Sequence, residues 1–164
     1  MTLPIVISDT SPLRALQHLD LVVILRKLYD RVYIPDVVAV ELNRAQRRFP
    51  GLDLSAFPFL VIETAQDQKR LAELQRKRLD AGEVQAILLA LEKSAGLILI
   101  DERMGRRVAT EMGLHAVGVL GVLLQAKQQA LISAIGPHII RLQKEIDFHL
   151  SPALIREVLR IAQE

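Results

Sequence analysis

Val6-Ile7-Ser8-Asp9-Thr10-Ser11-Pro12 and Leu97-Ile98-Leu99-Ile100-Asp101 are the two stretches that decide the fold. Each is a short apolar run of strand length that stops abruptly at an aspartate. Unbroken rather than alternating hydrophobicity marks strands buried on both faces, as in a parallel sheet covered by helices. Around these runs the chain alternates strand-like and helix-like segments. Ser11-Pro12 carries a helix-start signature, Ser as cap and Pro in the first turn, and predicts a helix over about 13–28 with a break near Asp20. Arg31-Val32-Tyr33-Ile34 reads as a second strand closed by Pro35-Asp36, with Asp36 capping a helix that ends in Asn43-Arg44-Ala45-Gln46-Arg47-Arg48. Phe59–Ile62 reads as a short strand and 66–77 as a charged helix. An apolar helix follows from Val84 to Lys93, then a helix at 102–112 and a strand near 114–117. Helices near 119–130, 133–144 and 151–162 finish the chain. The expected architecture is α/β with three layers, α/β/α, around a central, mainly parallel sheet.

The 164 residues fit one domain, at roughly 100–200 residues per domain. No internal repeat or linker divides them, so residues 1–164 are expected to form a single domain. Hydrophobic residues are 51% and aromatics only 4%, so Leu, Ile, Val and Ala must build the core, and a disordered tail is excluded. There is no Cys, which removes disulfides, thiolate metal sites and cysteine nucleophiles together and fits a reducing cytoplasm. No signal peptide and no apolar stretch long enough to span a membrane is legible, because Glu92 and Lys93 interrupt the longest candidate. The formal net charge of +2 is too small to steer a polyanion by itself, so local clusters must matter more.

In a parallel sheet the strand C-termini share one rim, where ligands bind. Asp9 and Asp101 belong at that rim, and Glu41 and Glu83 can reach it from helix starts. Each has a structural alternative. Asp101 could cap the helix after its strand, Asp80-Ala81-Gly82-Glu83 has the form of a capping box, Glu41 could be a solvated helix residue, and Asp9 a turn former. Carboxylates gathered within a few ångströms repel one another, and a divalent cation removes that penalty. All-oxygen ligation suits Mg²⁺ or Mn²⁺, which can activate water against a phosphodiester.

These residues resemble the PIN-domain family. Val6–Leu13 is similar to its opening motif, Pro35–Leu42 to the second, proline-led helix, and Leu79–Ile87 with Leu99–Arg107 to the third and fourth. The tail around Phe148-His149-Leu150-Ser151-Pro152 also resembles that of a PIN-like bacterial and archaeal subfamily. The resemblance implies a metal-dependent endoribonuclease acting on single-stranded RNA, with Asp9, Glu41, Glu83 and Asp101 as the catalytic and Mg²⁺- or Mn²⁺-binding set. Asp9 and Asp101 would hold the principal cation, Glu41 or Glu83 would serve as general base, and Ser11 would help fix a metal-bound water. It further implies relationship to VapC-type toxins, which form homodimers and are silenced by a cognate antitoxin. The third acid is Glu83, where Asp is commoner in the toxins, and a fifth acid has only Asp80 and Glu102 as candidates.

Arg103, Arg106 and Arg107 follow Asp101 at helical spacing, and Arg44, Arg47 and Arg48 trail Glu41. Either cluster could neutralise RNA phosphates or be solvated surface. Lys69, Arg70, Arg76, Lys77 and Arg78 read as an exposed helix face, the Phe residues as structural, and no histidine as catalytic. Two competing readings share the acid rim: a non-catalytic PIN-like module binding nucleic acid or protein, and a receiver-like phosphoacceptor domain.

Overall fold

A computed structural model describes residues 3–164 of the chain. Five parallel strands, β1 (Val6–Ser8), β2 (Val32–Pro35), β3 (Leu60–Glu63), β4 (Leu97–Leu99) and β5 (Ala116–Val117), form one sheet in the order β3-β2-β1-β4-β5. Chain order runs outward from β1 in one direction through β2 and β3, then resumes on its other side with β4 and β5. The switch point therefore falls between β1 and β4, the crevice where open α/β sheets bind ligands. Receiver-like sheets place their third strand, not their fourth, beside the first, so that alternative is set aside.

Successive residues along the buried strands alternate between two cores. Val6, Leu97 and Leu99 join one cluster with α1 (Thr10–His18), α2 (Ile24–Tyr29), α3 (Asp36–Asn43), α7 (Val119–Gln128), α8 (Gly136–Ile146) and α9 (Pro152–Ile161). Ile7, Ile98 and Ile100 join the other with α4 (Gln68–Gln75), α5 (Ala81–Glu92) and α6 (Arg103–Glu111). Helices thus cover both faces, giving the three-layer α/β/α arrangement. The apolar segment Ala116–Ala126, readable in sequence as core or as dimer surface, is core: Val119, Leu120, Val122, Leu123 and Ala126 are buried.

Several element boundaries shift from the sequence expectation. The first helix starts at Thr10, with Asp9 in place of Ser11 at the cap position. Pro12 is still in the first turn, where its missing N–H costs nothing. The predicted break occurs: α1 ends at His18, and Asp20 takes a positive φ of 58°. Pro35 replaces Asp36 as the residue before α3. The charged helix begins at Gln68 because the Asp67 carboxylate accepts the Arg70 N–H at 3.1 Å. The apolar helix begins three residues early, at Ala81, since Asp80 and Glu83 form a reciprocal capping box. The eighth helix starts at Gly136-Pro137 rather than 133. Among the described residues no helix is long and apolar enough to cross a membrane.

Candidate functional site

Asp9 follows β1 and Asp101 lies two residues beyond β4. The register Val6–Leu97, Ile7–Ile98, Ser8–Leu99 fixes those strand ends side by side, and the Asp9 N–H donates to Leu99 O at 2.9 Å. Asp9, Glu41 and Asp101 line one open cleft of about 1270 Å³, together with Thr10, Ser11, Arg14, Asp80 and Glu102. Glu83 does not line it. It is buried beneath, with Oε2 accepting the Asp80 N–H at 2.9 Å while Asp80 Oδ1 accepts the Glu83 N–H at 2.8 Å. The capping-box alternative for Glu83 is therefore real, and Asp80 takes the place at the cleft surface.

Gly82 shows how closely two of the acids approach. A methyl on its Cα would stand 3.0 Å from Asp9 Oδ1 and 3.2 Å from Glu41 Oε2, so the first turn of α5 is a floor under both carboxylates. Thr10 Oγ1 donates a hydrogen bond to Glu41 Oε2. Ser11, the hydroxyl singled out by sequence, lines the same cleft one residue further round the helix.

Asp101 does not cap the helix after its strand; Glu102 occupies that position. Instead Asp101 Oδ1 accepts the Val119 N–H at 3.0 Å, at the start of α7, and its Oδ2 is buried without a partner among the described residues. Gly118 makes room for this contact, since a Cβ there would collide with Asp101 Oδ1.

Burial pushes Asp9 up to about 8, opposed by the Thr10 N–H and reinforced by Asp80, Glu83 and Glu41. Burial likewise pushes Asp101 up to about 6, against the Val119 N–H and Arg106, with Glu102 adding repulsion. Glu83 is raised for the same first reason. Carboxylates held above their ordinary range by burial and by one another are the electrostatic signature of a site that a positive charge would relieve. The donor set is entirely oxygen, which fits a hard divalent cation. Among the described residues no three acidic or histidine side chains close into a ready-made cage; the acids are gathered but not converged.

Two further residues build the cleft. Arg14 is 4% exposed; its Nη2 donates to Glu41 O (2.6 Å) and Arg44 O (3.2 Å), its guanidinium lies 5.2 Å over the Phe49 ring, and among the described residues Nη1 is buried without a partner. It ties the C-terminal end of α3, and with it Glu41, to α1. Phe49 and Phe148, aromatics that the sequence reads as mostly structural, line the cleft. Of the basic clusters, Arg103, Arg106 and Arg107 line the cleft, with Arg107 also paired to Glu111 at 3.0 Å. Arg48 pairs instead with Asp147 across to the 147–151 segment, which forms the far wall.

A family model described as a PIN domain matches residues 5–164. No curated protein matches the chain.

Proposed function

From the membership of this chain in the PIN-domain family, whose fold is nuclease-type and whose members are generally nucleases using divalent metals, we propose that it is a metal-dependent endoribonuclease acting on single-stranded RNA, built as a single domain over residues 1–164. The observation that carries the proposal is the pair of raised aspartates, Asp9 and Asp101, at adjacent strand ends beside Glu41, with Asp101 Oδ2 buried and unpartnered among the described residues. Asp9, Glu41 and Asp101 would hold Mg²⁺ or Mn²⁺, with Glu83 beneath them, and such a cation supplies an activated water and neutralises phosphate charge.

The chain's own groups have separate tasks in this reading. Thr10 orients Glu41, which faces the cleft and is the better placed of the two glutamates to take a proton at Oε1. Glu83 is committed to the capping box through Oε2 and serves to hold the α5 turn and its Gly82 floor in place. Arg103 and Arg106 would neutralise non-bridging phosphate oxygens, and Ser11 would hold a water at the cleft wall. A VapC-like toxin role with a cognate antitoxin, a homodimer and a cytoplasmic location belong to the same proposal.

The non-catalytic reading is favoured by one observation: Asp101 Oδ1 and Glu83 Oε2 already accept main-chain N–H groups. Purified chain incubated with labelled RNA and Mn²⁺, with and without EDTA, beside Asp9→Asn, decides between them. Cleavage lost in EDTA and in the variant is expected; RNA left intact by the parent chain, or cut equally by the variant, defeats the nuclease proposal.

A further inference from the structure

A second, shallower recess of about 340 Å³ lies beside the acidic cleft. Arg76, Lys77 and Arg78 line it together with Met104, Arg107 and Glu111. Arg107 and Glu111 line both hollows, so the two are continuous across the exposed side of α6. The backbone enforces the same continuity. After α4 the chain turns tightly, with the Lys77 N–H bonded to Leu74 O at 3.0 Å and the Leu79 N–H to Lys77 O at 2.9 Å, and delivers Asp80 directly into the cleft.

Arg76, Lys77 and Arg78 are exposed, and none of them makes an ion pair among the described residues. The sequence alone assigns them to a solvated helix face; they belong instead to a turn packed beside Arg107. We propose that Arg76, Lys77 and Arg78, with Arg103 and Arg107, form a track that leads the phosphate backbone of single-stranded RNA into the acidic cleft. The choice of RNA as the strand rests on the nuclease reading. A polyanion needs such a track because the acids at the cleft repel it, and cations just outside offset that repulsion along the approach. The recess has no aromatic lining, so it fits contacts to phosphate rather than base-specific stacking. An acidic protein partner fits less well, since among the described residues Met104 is the one large exposed apolar side chain there to anchor it.

The test is fluorescence anisotropy of a labelled single-stranded RNA with the full chain in EDTA, where cleavage cannot interfere. Arg76→Gln combined with Arg78→Gln is expected to weaken binding about tenfold and to lower the salt slope by about 1.4, at about 0.7 per lost phosphate contact. The same charge change at Arg26 and Lys27, which are exposed on α2 and line neither hollow, should leave both quantities unchanged. With Mn²⁺ present, the double variant should raise KM for RNA while kcat stays near that of the parent. Equal affinity and slope in the two double variants, or no RNA binding by the parent, overturn the track and hand these cations to an acidic partner. Failure of the nuclease reading is seen separately, as intact RNA with Mn²⁺, and leaves the binding difference standing.

Discussion

The Thr10 hydroxyl, in the first turn of α1, donates its hydrogen bond to the Glu41 carboxylate on α3, thirty-one residues away. Such a bond fixes a rotamer of a glutamate that sits among other acids. A hydrogen bond to a charged group contributes about 1.5–3 kcal/mol. If Glu41 acts in the transition state, losing that bond costs about 10–100-fold in rate. Thr10→Val should therefore lower kcat on RNA by at least tenfold, while Thr10→Ser restores most of it and both fold normally. A Val variant with undiminished kcat removes Thr10 from the site.

Gly82 makes a sharper test, because activity should fall while the fold is kept. Alanine is a better helix former than glycine by about 1 kcal/mol, and Gly82 is in the first turn of α5. Its methyl would nonetheless stand 3.0 Å from Asp9 Oδ1 and 3.2 Å from Glu41 Oε2. Gly82→Ala is expected to stay folded, with the propensity gain set against the crowding of the two carboxylates, and to lose tenfold or more of its Mn²⁺-dependent cleavage. Melting curves and initial rates on one preparation check both halves.

The rim of acids was legible because its cause is local. A buried strand must be apolar throughout, so the residue that ends it stands out, and Asp9 and Asp101 did. The capping box at Asp80–Glu83 was equally visible, but whether its acids face a cap or a cleft is a tertiary matter: both residues cap, and Asp80 alone of the two also lines the cleft. The family resemblance points to Ser11 and not Thr10, and one residue of helical phase decides which hydroxyl meets Glu41. Arg14 was invisible as a site residue. It lies inside an apolar stretch, and its partners Glu41, Arg44 and Phe49 are at least 27 positions downstream. The turn at 76–78 reads as surface until α6 is packed beside it.

The raised aspartates give the chelated protein a pH dependence with a definite sign. Asp9 and Asp101 bind protons in the folded chain up to about pH 8 and 6, against an ordinary value of 3.8. Between pH 5 and 8 the folded state holds more protons than the unfolded one, so stability in EDTA should fall as pH rises through this window. Asp9→Asn removes the Asp9 share of that fall, which runs from the ordinary value up to about 8 and is the whole of it above about 6. At pH 8 the variant should be more stable than the parent by about 1–3 kcal/mol, a figure well below the full shift because buried groups relax. Urea melts at pH 5, 6.5 and 8 measure this. Added Mg²⁺ should stabilise the parent at pH 8 and leave Asp9→Asn nearly unmoved. A parent whose stability is flat across the window contradicts the burial and repulsion assigned to Asp9.

Glu164 supplies the opposite sign at a place remote from the cleft. Its carboxylate accepts the N–H groups of Ile135 at 2.8 Å and Gly136 at 3.0 Å, at the start of α8, and pairs with Lys127 Nζ at 2.9 Å. Lys127 also donates to Ala162 O at 2.6 Å, so one small network joins α7, α8 and the residues after α9. Desolvation would raise this carboxylate, but the Gly136 and Ile135 N–H groups and Lys127 win and hold it at about 2. Its contribution is therefore complete above the ordinary glutamate range and is lost as pH falls through about 2. Glu164→Gln preserves the shape and removes the charge from a helix N-terminus, which costs about 0.3–1 kcal/mol at pH 7 for an exposed group. The gap between variant and parent should narrow in urea melts taken at pH 3, while RNA binding and cleavage at pH 7 stay at the parent level. A gap of equal size at both pH values means that the charge is idle and that only packing was lost.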